Sequence, residues 1–303
     1  MLKYTVDSQE KVIDLRNATS HILLARGNAQ SSGKLEYHEQ RVPSAAAVDF
    51  QAISKIEGEE EGWAYQGHAI CMVLAWMSSA ASGMLLARYY KATWRTVRPG
   101  DKDLWFRLHQ MFMSMTVGLT MAGIIIILVD VGLTPWESLN VNPHPVFGLI
   151  AIMGSLIQPV MSMLRPEPDS SKRWIFNWAH WGVGNIAFGA AIVAIFFGVE
   201  YPGVMLPKEV TYVLIAYVVV HTLIHLVLSF QRVYILKNGS NQVKDIGFNA
   251  NDVQDAPGSD LRKALAFVYV GLVWIFALVI VGWLIHQKLY GEHDHEEHDH
   301  EEH

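Results

Sequence analysis

The stretch Leu108–Val131, LHQMFMSMTVGLTMAGIIIILVDV, decides what kind of fold this chain can have. It holds the unbroken run Ile124-Ile125-Ile126-Ile127-Leu128-Val129, too apolar for the half-exposed helix of a soluble domain. Crossing a hydrocarbon core of ~30 Å takes about 20 residues at ~1.5 Å each. Five further stretches meet the same test: Trp63 to Tyr90, Pro145 to Leu164, Ile175 to Val199, Val210 to Ile235 and Leu265 to His286. With 51% hydrophobic residues over 303 positions, the chain is expected to be an all-α membrane protein, a bundle of six transmembrane helices. Trp63, Trp94, Trp105, Trp136, Trp174, Trp178 and Trp283 fall at or near the ends of these spans, as an interfacial aromatic belt requires.

Each of the first four spans carries one histidine close to an end: His68, His109, His144 and His180. An ionisable side chain in a membrane segment is costly and therefore rare unless it faces the bundle interior and binds something. Helix direction follows from loop charge, because cytosolic loops carry the excess of Lys and Arg. The loop after the first span holds Arg88, Lys91, Arg95, Arg98, Lys102 and Arg107, so it is expected inside. Asp130 to Pro143 holds no Lys or Arg and is expected outside. Arg165, Lys172 and Arg173 mark the next loop as cytosolic, Glu200 to Glu209 has Lys208 alone, and Arg232 to Lys263 is again basic. Both termini are then non-cytosolic. His68 and His144 lie near the outer face, and His109 and His180 near the cytosolic face.

Two neutral imidazoles on facing helices supply the two axial positions of a haem iron. The four histidines therefore read as cofactor-binding and metal-ligating residues of two haems, an outer one on His68/His144 and an inner one on His109/His180. The irons would lie roughly 15–20 Å apart along the membrane normal. Iron with both axial positions filled favours electron transfer over oxygen binding. The alternative is four interior histidines satisfied by hydrogen bonds. His221 and His225, a turn apart on one face of the fifth span, could be ligands themselves, but their place near mid-membrane fits neither haem and favours such interior hydrogen bonding.

The remaining chain is less specific. Cys71 is the only cysteine, which excludes an intrachain disulfide and an iron–sulfur cluster. The net charge of −6 comes with no basic nucleic-acid footprint. Met1 to Phe50 has no secretory leader, so either the first span drives insertion or the natural chain begins earlier. His21–Gly27 and Lys34–His38 read as strands around a Ser31-Ser32-Gly33 turn, and Glu57–Gly62 as an acidic linker. His21 and His38 read as plain surface or strand residues. The ending from His293 to His303 alternates imidazoles and carboxylates, which can bind metal or serve as a solvated tail.

Gly67-His68 with Met72-Val73-Leu74-Ala75-Trp76, Ala87-Arg88-Tyr89-Tyr90-Lys91, Trp105-Phe106-Arg107-Leu108-His109, His144-Pro145-Val146-Phe147-Gly148 and Trp178-Ala179-His180-Trp181-Gly182 together resemble the cytochrome b561 family, over residues of about 63 to 236. Leu35-Glu36-Tyr37-His38-Glu39-Gln40-Arg41 followed by Ala47-Val48-Asp49-Phe50 is similar to the last strands of DOMON domains. The resemblance, to DOMON-associated, ferric-chelate reductase-like members, implies a partial β (DOMON-like) extracellular segment and linker over 1–61, a b561-like membrane domain with a four-helix di-haem core over 62–290, and a His/acidic tail over 291–303. It implies two haem b, ascorbate as cytosolic donor, and an external acceptor such as ferric chelate. Lys91 and Arg88 become the candidate catalytic residues that receive the anionic donor, unless they serve only to set orientation. A plasma membrane or endomembrane vesicle, the lipid bilayer and a homodimeric partner complete the expectations. Two rivals stand beside this assignment: a membrane metal transporter, and a non-catalytic DOMON-type membrane adaptor.

Overall fold

A computed structural model describes residues 63–131, 142–167, 169–201, 204, 206–242 and 255–290, with six short strands between residues 2 and 49. The chain divides into two units, Met1–Gly62 and Trp63–His303. Among the described residues of the second unit six helical spans are long and apolar enough to cross a membrane, and the chain is an integral membrane protein. The first span is composite: α1 (Trp63–Met72) runs through a π-helical segment, Val73–Ala80, into α2 (Ala81–Tyr89). The others are α3 (Leu104–Val131), α4 (His144–Met163), α5 (Arg173–Val199), α6 (Glu209–Gln242) and α7 (Ser259–Tyr290).

The first span is the buried axis of the bundle, packed against α3 and α7 and touching α5 and α6. Small residues make this approach feasible: Ala75, Ser78, Ser79, Ala80, Ala81 and Ser82 are buried there beside Met77 and Leu85. Large apolar side chains such as Ile125, Val160, Phe230 and Phe267 point outward, as a surface solvated by lipid requires. The π-helical segment is held from outside its own ladder. Tyr217 O–H donates to the Met77 carbonyl at 3.1 Å, and the Thr116 hydroxyl, 2.9 Å from the Phe112 carbonyl of its own helix, also stands 3.3 Å from the Ala75 carbonyl. Ser78 and Ser82 hydroxyls donate one turn back, to Leu74 and Ser78.

The sixth span starts earlier than its apolar run, at Ser259 rather than Leu265. The polar first turn is helical because Arg262 is buried and fully engaged. Its guanidinium donates to Thr93 Oγ1 at 2.9 Å, to the Pro257 carbonyl at 2.8 Å and to the Ala256 carbonyl at 2.9 Å, while Tyr90 O–H donates to the Arg262 carbonyl at 2.7 Å. Hydropathy cannot register a charge that packing buries in this way.

The first unit corrects the expectation that a partial β, DOMON-like segment belongs to the fold. Its strands β1 (Leu2–Val6), β2 (Gln9–Ile13), β3 (Thr19–Ser20), β4 (Leu23–Arg26), β5 (Gln40–Pro43) and β6 (Val48–Asp49) pair only two by two, as β1–β2, β3–β6 and β4–β5. Among the described residues no sheet exceeds two strands, and isolated pairs of this size build no sandwich layer. A short alternating run is enough to pair locally and too little to bury a core, so the fold that the described residues build is the six-span helical bundle. The expected strand His21–Gly27 overlaps β4, whose partner is β5. Lys34–His38, the acidic linker and the tail over 291–303 lie outside the described residues.

Candidate functional site

The structure brings the four span histidines together two by two. His68 on α1 and His144 at the start of α4 have ring centres 6.0 Å apart with planes at 73°. His109 on α3 and His180 on α5 have ring centres 6.4 Å apart, also at 73°. The backbone orients three of the rings in the same manner. Nδ1 of His68 donates to the Gly123 carbonyl at 2.9 Å, that of His109 to Gly83 at 3.0 Å, and that of His144 to Ala194 at 2.8 Å. A carbonyl only accepts, so the proton sits on Nδ1 and the Nε2 lone pair is free. Nδ1 of His180 is buried without a partner.

A regular register underlies these bonds. On α3 the carbonyl that serves His68 lies 14 residues beyond His109, and on α5 the carbonyl that serves His144 lies 14 residues beyond His180. At ~1.5 Å per residue this separates the two pairs by about 21 Å. On the first span the interval from His68 to Gly83 is 15 residues. The extra residue falls where the π-helical segment stands, and the wider π turn absorbs it. Gly83 and Gly123 also let the first span and α3 meet closely. A Cβ at Gly83 would stand 3.0 Å from Phe112 Cβ, and one at Gly123 2.6 Å from Met72 Cε and 2.9 Å from Cys71 Cβ. His144 is set by the residue two before it: Asn142 Oδ1 accepts the His144 backbone N–H at 2.9 Å, and Asn142 Nδ2 donates to the Phe197 carbonyl at 3.1 Å.

These residues fit haem iron. Metal–imidazole bonds of about 2 Å on opposite sides of one ion put two ring centres about 6 Å apart, which is the spacing of both pairs. Ligating histidines also characteristically donate their second ring nitrogen to a carbonyl. Among the described residues no group of three or more His, Cys, Asp or Glu side chains is placed to hold a metal ion.

Cations gather at the His109/His180 end. Lys91 Nζ lies 5.3 Å from the Trp105 ring centre, and the Arg88 guanidinium 5.6 Å from that of Trp181, next to His180. Arg165 stands over Phe106 at 5.3 Å and Arg173 over Phe176 at 5.6 Å, while Phe176 stacks on His180 at 5.5 Å. Burial, followed by the charges of Arg232, Arg165, Arg173 and Arg88, holds the Lys91 ammonium below the ordinary lysine range. Burial, then Arg173, lowers Arg165 as well. Sequence reasoning treated Arg165, Arg173 and Arg232 only as orientation charges, because nothing in one dimension shows that three loops converge.

His221 and His225 stack on each other at 4.3 Å. Tyr269 O–H meets His221 Nδ1 at 2.7 Å; Tyr89 O–H donates to the His225 carbonyl at 3.1 Å and lies 2.8 Å from Ser229 Oγ. Trp178 and Trp181 pack edge-on against each other at 5.4 Å and are largely exposed.

Residues 67–205 match the family model of eukaryotic cytochrome b561. This segment belongs to the cytochrome b561 family. The b561 match contains His68, His109, His144 and His180 and ends before His221 and His225. The chain is similar to a Drosophila melanogaster protein named "Putative ferric-chelate reductase 1 homolog", 32% identical over 90% of this chain and 44% of that one. It is also similar to Ferric-chelate reductase 1 of Mus musculus, 26% identical over 89% of this chain and 46% of that one. The human Ferric-chelate reductase 1 is 28% identical over 84% of this chain and 43% of its own. The chain thus spans less than half the length of these relatives. No solved structure matches it.

Proposed function

We propose that this chain carries electrons across a membrane through two b-type haems, from cytosolic ascorbate to an external ferric chelate. The observation that carries the proposal is the repeated geometry: two imidazole pairs with ring centres at 6.0 and 6.4 Å, set about two-thirds of a membrane thickness apart. A haem held by two histidines supplies one-electron transfer without an open coordination position. His68 and His144 would hold the outer group, and His109 and His180 the inner one. The carbonyls of Gly123, Gly83 and Ala194 keep three imidazoles in the ligating tautomer. Arg88 and Lys91, reinforced by Arg165 and Arg173, bind the anionic donor at the inner end. The orientation comes from loop charge, and the names of the relatives support the choice of ferric chelate as acceptor.

The test is transport in sealed vesicles. With ascorbate inside, ferric chelate outside and a ferrous indicator outside, vesicles holding the purified chain in the inferred orientation are expected to form ferrous iron faster than empty vesicles. Equal rates in the two preparations, from chain that retains both haems, would overturn the proposed donor-to-acceptor reaction.

A further inference from the structure

Three of the four paired histidines donate Nδ1–H to a carbonyl across the bundle, and His180 does not. Opposite it, Gln158 on α4 donates Nε2–H to the backbone carbonyl of His180 itself, at 2.7 Å. The other end of that amide, Oε1, is also buried and unpaired. One residue is left with a buried donor and the neighbour that grips it with a buried acceptor, a coincidence that native structures rarely leave open.

The register arrives at the same residue by a separate route. Carbonyls 14 residues beyond His109 and His180, and 15 beyond His68, each serve the histidine of the facing span. Counted from His144 along α4, position 158 is the counterpart. Its backbone carbonyl is occupied by the Ser162 hydroxyl at 3.0 Å, so the side chain is what remains to serve His180. The opposing helix leaves room for it. A Cβ at Gly184 would lie 2.8 Å from Gln158 Nε2, and glycine alone lets the amide seat there.

We infer that Gln158 is the positioning residue of the inner site: its Nε2 holds the His180 carbonyl at 2.7 Å, and a rotation of the amide or of the His180 ring pairs Oε1 with the Nδ1 proton, the two atoms that stand unpartnered in this structure. This rests on the two-haem function proposed above. It makes the inner haem the one whose ligand is oriented by a replaceable side chain, so the electron-donating strength of His180 depends on residue 158. A stronger acceptor there makes the imidazole more basic and favours ferric iron; an apolar residue does the opposite.

The experiment is a potentiometric titration of the purified full chain, followed optically and by electron paramagnetic resonance, for the unaltered protein, Gln158→Leu, Gln158→Glu and Gly184→Ala. The inner component is identified as the one lost in His109→Ala. Gln158→Leu is expected to raise the potential of that component and shift its resonance, Gln158→Glu to lower the potential, and Gly184→Ala to follow Gln158→Leu, with the outer component unmoved. Should Gln158→Leu fail to hold the inner haem, the opposed shifts of Gln158→Glu and Gly184→Ala decide the matter. An unaltered protein with two haems, whose inner potential stays fixed or moves the same way in all variants, refutes the role of Gln158 alone. An unaltered protein without haem refutes the proposed function itself.

Discussion

Gly83→Val should cost the chain its inner haem and leave the outer one in place. A Cβ at residue 83 would stand 3.0 Å from Phe112 Cβ and press on the Met113 methyl group, so the first span must retreat from α3. That retreat stretches the 3.0 Å bond from His109 Nδ1 to the Gly83 carbonyl. Overpacking of this kind costs about 1–3 kcal/mol, and a lost hydrogen bond about 1 kcal/mol. Together they weaken inner-haem binding by roughly 30- to 1,000-fold, at ~1.4 kcal/mol per factor of ten. Gly123→Val is the mirror experiment, because its carbonyl serves His68 at 2.9 Å and its face meets Met72 and Cys71. It should empty the outer site. Gly118→Val is the control, since nothing lies within 4 Å of a Cβ built there. The assay is haem titration of purified apoprotein, read by the absorbance of each component. If Gly83→Val and Gly123→Val both retain two haems with unaltered affinity, or lose the same component, the helix-to-helix carbonyl scheme is wrong.

Lys91→Ala is expected to weaken ascorbate-driven haem reduction by about 10- to 100-fold in donor affinity, from the loss of one charge-assisted bond of about 1.5–3 kcal/mol; stopped-flow reduction at varied ascorbate reads it. Because burial and the neighbouring arginines hold Lys91 below the ordinary lysine value, its charge is present below that lowered value and lost as pH rises through it. Donor affinity should then fall at a less alkaline pH than an ordinary lysine dictates, and Lys91→Arg should abolish that fall. Arg262→Ala removes three donor bonds to Thr93, Pro257 and Ala256 and should lower the thermal midpoint in detergent by the equivalent of about 2–3 kcal/mol while both haems are kept. Tyr269→Phe deprives His221 of its 2.7 Å partner and should reduce stability by about 1–3 kcal/mol with no change in haem content; loss of a haem would instead make the His221/His225 pair part of the site.

The spans were legible in sequence because membrane hydropathy is a local property, and four of the six begin and end within about a turn of the apolar runs, while α6 runs on to Gln242. The sixth starts earlier than its apolar run because the Arg262 charge is buried by Thr93 from a distant loop and by the carbonyls of Ala256 and Pro257 just before the helix. The histidine pairs became legible only through loop charge, which orients the helices and so matches depths. What could not be read is anything that depends on contact across helices: the carbonyl acceptors on Gly83, Gly123 and Ala194, the grip of Gln158, and the convergence of Arg165, Arg173 and Arg232 on Lys91. A signal for the acceptors was nevertheless present, in the intervals of 14 and 15 residues that separate them from the histidines on their own helices. The amino-terminal segment misled because a few alternating residues suffice for a strand pair, and only long-range pairing distinguishes such pairs from a sandwich.

The most direct test of the central claim is the haem content of the purified chain, measured as pyridine haemochrome against protein and repeated for His68→Ala, His144→Ala, His109→Ala and His180→Ala. Two b-type haems per chain are expected, falling to one in each variant, with the first two variants losing one spectral component and the last two the other. A chain without a Soret band, or variants whose losses do not sort into these two pairs, would contradict the account.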